Sequence, residues 1–437
     1  MRSAEPVTGI FAVYAFDEMW RVAKVVYYGI MALNHRGQAG CGMCLFSGRG
    51  LSLLESNIGY VDVAFNVEEL VGREGWIGLG WVYSTVGRVV KRVHIGSKEC
   101  ICVFYVDLPE RDLEKISKVL PELKRDLDEG VEKLNVLSRE IQRPISFVLL
   151  TEDGELYVYR DPSGLKPLHV GAYGFDLGII STEPCAIECI GGDPRADMPP
   201  GSAMCFTKYL VERSRVQDLH RRKYCALEYI YYSRLDSTID EIPVYDFRRT
   251  LSQTVSRRAP LSVDVVIGVP ETGVVYAVEI AKHIGRDFSF GFVQTGRRIR
   301  SALVQDYLER LIGVQLKMSP IRCVMQGRSI LLVDDSLLKG ITLRNIIQYI
   351  RNRVGVREVH VLVASPPIRY ECPFGMDIPP REELLCANVS LEDLPRVLDA
   401  DSVTFATLDD LYEAFEKFNV DKDQVCTYCM TGRLPTW

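Results

Sequence analysis

Residues 330–343, ILLVDDSLLKGITL, constrain the fold more than any other stretch of this chain. The apolar run Ile330 to Val333 reads as a buried strand of a parallel sheet, which needs both faces covered. Asp334 and Asp335 then fall at its carboxyl end, where open α/β sheets bind ligands. Two adjacent carboxylates there can hold ribose hydroxyls or magnesium. The turn that follows carries Ser336, Lys339 and Gly340 and opens into a helix at Ile341 and Thr342. Its backbone N–H groups can receive a terminal phosphate, and Thr342 adds a hydroxyl donor. An acid pair alone more often marks an ordinary crossover with solvated carboxylates. The order strand, acid pair, glycine turn, threonine points instead to a phosphoribosyl ligand.

A second element of this kind occupies residues 268–275, GVPETGVV, where Pro270, Glu271, Thr272 and Gly273 form a turn between a strand and a helix. Its N–H groups can cradle pyrophosphate. By itself such a turn is as readily structural. Two of them on neighbouring strands would bracket a ligand carrying phosphate at both ends.

Around these turns strands and helices alternate. VDVVIGVP leads to a helix over TGVVYAVEIAKHIG, FSFGFVQ to a helix near residues 305–316, and ILLVDD to a helix near residues 342–353, before the strand in VREVHVLVASPP. This rhythm predicts a parallel sheet with crossover helices. The first 210 residues read differently, as short β-rich runs (GIFAVYAF, WIGLGWVYST, ISFVLL, ELYVYR) with helical periodicity near residues 19–33 and 108–137. They predict a layered α+β domain. The Arg-rich stretch 211–223 lacks apolar periodicity and is the linker candidate. The expected domains are residues 1–215 and 216–437.

A net charge of −6 argues against a nucleic-acid partner held on a broad basic surface. No apolar run approaches the roughly 20 residues that span a bilayer, and the opening MRSAEPVTGIF lacks a signal-peptide apolar region. The expectation is a cytoplasmic protein acting on small molecules, with neither nucleic acid nor membrane as partner. The 13 cysteines then belong to buried thiols or metal ligands rather than to disulfides. Cys41, Cys44, Cys100, Cys102, Cys185, Cys189, Cys205, Cys323 and Cys386 lie among apolar neighbours and are expected in the core. The other four are Cys225, Cys372, Cys426 and Cys429. Scattered as they are, with a C-x-x-C that is as often redox-active, zinc-binding or inert, they make a weak metal signal on their own.

Nearly end to end, however, the chain resembles the glutamine phosphoribosylpyrophosphate amidotransferase family. The resemblance rests on GIFAVYAF at Gly9, ALNHRGQAGCG at Ala32, DPSGLKPL at Asp161, STEPCAI at Ser181, CALEYIYYSRLDSTIDEIPVY at Cys225, VDDSLLKGIT at Val333, SPPIRYECPFGMDIPPREEL at Ser365, DADSVTFATLDDL at Asp399 and CTYCMTG at Cys426, in family order. It implies an N-terminal Ntn-hydrolase αββα sandwich that releases ammonia from glutamine. It also implies a C-terminal type I phosphoribosyltransferase sheet, where ammonia displaces pyrophosphate from C1 of the ribose in the first committed step of purine synthesis. It implies Mg²⁺ held by Asp334 and Asp335, and anion contacts from Arg300, Arg310 and Lys317. For members that carry a [4Fe-4S] cluster, it implies Cys225, Cys372, Cys426 and Cys429 as ligands, in a structural role. A homo-oligomer, or a hetero-oligomer with an active relative, is expected.

The chain departs from the family where glutamine chemistry is done. Thr8 stands at the position of the nucleophilic cysteine, so thiolate reactivity is lost, although Thr serves as an N-terminal nucleophile in other Ntn hydrolases and removal of residues 1–7 would expose it, which leaves a glutaminase acting through processed Thr8 as a third, disfavoured reading. GWVYSTVG from Gly80 lacks the Arg that fixes the glutamine carboxylate. Phe104, Tyr105, Val106 and Asp107 replace the H-N-G-N block of the oxyanion hole. The glutaminase is therefore expected to be silent, with HRGQ at His35 and DPSGLKPL kept as supports of the fold. In the transferase half the R-G-T-T-S loop has become Lys339, Gly340, Ile341, Thr342 and Leu343. Glu271 stands for Asp, and the mobile loop survives faintly from Gln294. Two readings follow: an amidophosphoribosyltransferase fed by free or partner-delivered ammonia, or a catalytically silent paralogue serving an active relative as a regulatory or structural subunit.

Overall fold

The computed structural model describes residues 6–85, 89–215, 222–294 and 318–435. The N-terminal part is built on two antiparallel sheets. One has seven strands, in the spatial order Asp193–Asp197, His169–Tyr173, Leu177–Ser181, Thr8–Ala15, Ile77–Tyr83, Gly40–Phe46, Leu51–Ser56. The other has six, in the order Val211–Arg213, Ser202–Phe206, Leu156–Arg160, Phe147–Thr151, Lys98–Phe104, Val90–Ile95. Strand alternation sends Ile10, Ala12 and Tyr14 toward the second sheet, where they meet Cys102, Leu149 and Val158 in one core. Phe11 and Val13 point the other way, onto Val26 and Ile30 of the helix Ala23–Ala32. Helices Glu110–Arg125 and Leu127–Ile141 close the outer face of the second sheet with Leu113, Ile116, Leu120 and Leu134. The layers are helix, sheet, sheet, helix, as the resemblance implies.

The C-terminal part holds a five-stranded parallel sheet in the order Asp287–Phe288, Val265–Gly268, Ser329–Asp334, Glu358–Val363, Ser402–Phe405. Leu331 and Val333 face one apolar cluster with Tyr276 and Phe415. Ile330 and Leu332 face another with Ile346 and Ile347. Burial on both sides explains the continuous apolar run. None of the described helices is long and apolar enough to cross a membrane.

Several expectations need correction. Val211–Arg213, the start of the linker candidate, pairs as an edge strand with Ser202–Phe206; residues 216–221 lie outside the described residues. FSFGFVQ is not one strand: Asp287–Phe288 joins the parallel sheet, while Phe292–Val293 pairs antiparallel with Ser319–Pro320. Cys189 and Cys323 are exposed. The former ends the helix Pro184–Cys189, and the latter sits two residues from buried Met325 on a short helix, hence on its opposite side. The helix expected near residues 305–316 lies outside the described residues.

Candidate functional site

At the carboxyl ends of two neighbouring parallel strands the two glycine turns meet. Gly268 is in register with Val333, and the Val269 N–H donates to the Val333 carbonyl at 2.8 Å. The approach is close because Gly273 has no side chain: a Cβ there would stand 2.5 Å from the Val333 carbonyl oxygen. The peptide between Pro270 and Glu271 is cis. Thr272, which opens the helix Gly273–Ile284, donates its hydroxyl to Asp335 Oδ2, and Ser336 donates to Oδ1 at 2.6 Å. From the next strand, the Ala364 and Ser365 N–H groups donate to the Asp334 and Asp335 carbonyls. The acid pair is thus clamped from both sides.

Asp335 is only 4% exposed and Asp334 is half-buried. Burial and then the adjoining Asp335 charge hold the Asp334 carboxyl well above the usual carboxylate range. Burial also raises Asp335, with the Ser336 and Thr272 hydroxyls pulling it partly back. Such a pair is costly without a cation or hydroxyl partner. Asp334, which retains an open side, fits a hard cation or ribose hydroxyls with Asp335 beside it.

Beyond Ser336 the chain turns through Gly340, whose φ of +71° is a left-handed conformation favouring glycine, and enters the helix Ile341–Tyr349. Ile341 and Thr342 are exposed at the helix start, leaving their N–H groups for an anion. Lys339 is committed to an ion pair with Glu383. Arg300, Arg310 and Lys317 lie outside the described residues; Gln294 is exposed at their border.

In the N-terminal part, Thr8 is fully buried and donates its hydroxyl to the Tyr105 carbonyl at 3.1 Å. Its nitrogen is bonded to Val7, whose own N–H and carbonyl pair with Ser84. Phe104, Tyr105 and Val106 are buried, and the Tyr105 hydroxyl reaches the Pro167 carbonyl. His35 contacts Glu183 at 2.6 Å, and Arg36 bridges Glu183 to Glu228 of the C-terminal part.

The four remaining cysteines converge. Tyr224–Cys225 pairs parallel with Val425–Cys426, setting Cys225 opposite Cys426. Cys429 follows on the short helix Tyr428–Thr431, its carbonyl accepting from the N–H groups of Arg369 and Tyr370. All four thiols, with Lys166, Leu227, Phe374 and Met376, line one cavity. Burial pushes the Cys426 thiol up to about 12 and the other three show the same apolar enclosure. Among the described residues no three metal-binding side chains meet around one ion. A cubane does not require that, because each thiolate binds its own iron. The residues fit a four-thiolate cluster.

A model of the phosphoribosyl transferase domain family matches residues 242–366, which span both glycine turns. The amidophosphoribosyltransferase of Pyrococcus horikoshii is 33% identical, covering 98% of this chain and 96% of its own length. That of Archaeoglobus fulgidus is 31% identical over 94% of each. The chain belongs to the amidophosphoribosyltransferase family. Its fold agrees with the solved glutamine phosphoribosylpyrophosphate amidotransferase of Bacillus subtilis complexed with ADP and GMP, at a TM-score of 0.80 and 27% identity over 98% of this chain and 97% of that one. Within this family frame, sequence reasoning missed Thr272 as a ligand of Asp335, and Glu228 and Lys166 as buried charges. A glutamate inside the apolar run CALEYIYY was the available signal for Glu228; Lys166 gave none.

Proposed function

We propose that this amidophosphoribosyltransferase relative forms 5-phosphoribosylamine from phosphoribosylpyrophosphate, with ammonia rather than glutamine as the direct nitrogen donor. The observation that carries the reading is the junction of the two glycine turns through Thr272 and Asp335. It offers carboxylates to the ribose between the turn at Glu271 and Thr272, for pyrophosphate, and the turn at Gly340, for the 5-phosphate. The C1–oxygen bond breaks as ammonia nitrogen bonds to C1, pyrophosphate leaves with the electron pair, and the amine sheds a proton to solvent. The chain's own work is to hold the ring and leaving group in line and to stabilise charge as it develops. Magnesium, bound at the acid pair, would supply charge neutralisation for the departing pyrophosphate.

Silence of the glutaminase is supported by three features. Thr8 offers a hydroxyl in place of the more nucleophilic thiol. Its hydroxyl proton is given to the Tyr105 carbonyl. Tyr105 and Val106 fill the place of an amide donor and a permissive glycine, and losing one oxyanion donor costs about 10² to 10³ in rate. For Cys225, Cys372, Cys426 and Cys429 we propose a [4Fe-4S] cluster that ties the tail to the interdomain region.

Pyrophosphate release from phosphoribosylpyrophosphate and Mg²⁺, measured with ammonium and then with glutamine, tests the reading. Turnover with ammonium alone is expected. Equal rates with both donors overturn the account of the N-terminal half. Silence with both favours the second reading, a non-catalytic subunit, which the engagement of Lys339 by Glu383 supports because it removes a cation from the phosphate loop.

A further inference from the structure

Lys166 is 1% exposed and lines the cysteine cavity, yet it forms no ion pair among the described residues. Its Nζ donates to one acceptor, the Gly375 carbonyl, at 2.8 Å. Glu228, which like Lys166 acts on the Cys225 thiol, is already held by Arg36. A buried ammonium without an anion is costly, and an ammonium has three N–H donors, of which Gly375 uses one. Among the described residues the remaining donors and the charge have no protein group to answer them. Besides Lys166 the cavity is lined by the four thiols, Tyr428 and apolar side chains, with no carboxylate among them.

A cluster held by four thiolates carries net negative charge, and burying it is as costly as burying the ammonium. Each is the missing partner of the other. We infer that Lys166 is the counter-cation of the cluster: buried in the same cavity as Cys225, Cys372, Cys426 and Cys429, it offsets their excess negative charge, donates hydrogen bonds to sulfur, and so sets the reduction potential and the retention of iron. Net charge and hydrogen bonds to sulfur are the two terms through which a protein moves such a potential. Lys166 acts through the cluster and is a positioning residue, not a catalytic one. The inference rests on the cluster reading above.

The test uses the full chain purified anaerobically. Wild type is compared with Lys166→Met, which removes charge and donor, Lys166→Gln, which keeps a donor for Gly375 but no charge, and Lys166→Arg, which keeps the charge. Iron, acid-labile sulfide, the midpoint potential and the rate of iron loss to a chelator are measured, with circular dichroism as the check on folding. Loss of the charge is expected to shift the midpoint negative and to speed iron loss about tenfold or more, while Lys166→Arg stays near wild type. Wild type that folds without iron or sulfide overturns the cluster itself. Wild type with a full cluster, and folded Met or Gln variants that keep its potential and its iron, overturn the role of Lys166 alone. Should the Met variant not fold, the Gln variant decides.

Discussion

Arg36→Met is the perturbation with the largest expected effect on the joint between the two halves. The guanidinium is 1% exposed and donates to Glu183 at 2.7 Å, to both oxygens of Glu228 at 2.6 and 3.0 Å, and to the Thr8 carbonyl at 3.4 Å. Glu183 would keep His35, the Arg234 N–H and Ser237; Glu228 would keep only Ser233. The substitution therefore strands one buried carboxylate, and breaking a buried pair from one side costs about 3–5 kcal/mol. In a unit of this size that corresponds to a fall of roughly 10 °C in melting temperature. The sign of the pH dependence follows. In wild type, burial pushes Glu183 up, but His35 and Arg36 outweigh it and hold the carboxyl well below the usual range. Its contribution is complete above the unfolded-state value of about 4.3 and is lost as pH falls through the lower folded value. In the variant Arg36 no longer holds Glu183 down, so the deficit narrows as pH falls from 7 to about 4. Calorimetry at both pH values, with Glu228→Gln added in the Arg36→Met background, measures it. The second substitution should restore about 1 kcal/mol or more, because it neutralises the group left behind. A deficit under about 1 kcal/mol, or one equal at both pH values, would refute the reasoning.

Asp334→Asn should abolish ammonium-dependent pyrophosphate release yet raise the melting temperature of the ligand-free protein, because it removes a buried carboxyl that burial and Asp335 push upward; a lowered melting temperature counts against this. By the same sign, ligand-free wild type should lose stability as pH rises through the raised values of the pair. Gly340→Ala meets both a φ of +71° and a Cβ position 2.5 Å from Leu385, so a loss of about 1–2 kcal/mol together with weaker phosphoribosylpyrophosphate binding is expected by thermal melts and calorimetry, and unchanged affinity would remove the turn from the site. Thr8→Ala should leave the ammonium rate within about twofold, whereas a large drop in steady-state assays would assign Thr8 a role in turnover.

Local signals made the transferase half legible. The run Ile330 to Val333, the acids at its end and a glycine at a left-handed turn each follow from nearest-neighbour chemistry. So does the layered N-terminal half, where period-2 alternation in residues 8–15 faces two cores. What escaped was decided by distance along the chain. Nothing around Lys166 announces that it will be enclosed with four thiols, and nothing around Arg36 announces Glu228. The hydroxyl of Thr272 finds Asp335 only because two strands lie parallel in one sheet. Cys189 and Cys323 misled because apolar neighbours in sequence do not fix which side of a short helix a residue takes.

The pairing of Tyr224–Cys225 with Val425–Cys426 brings together segments separated by nearly half of the chain. Closing this pair ties into a ring the long loop that carries the whole parallel sheet. A contact made at this point therefore restrains the unfolded ensemble of the whole transferase half more than any short-range contact can.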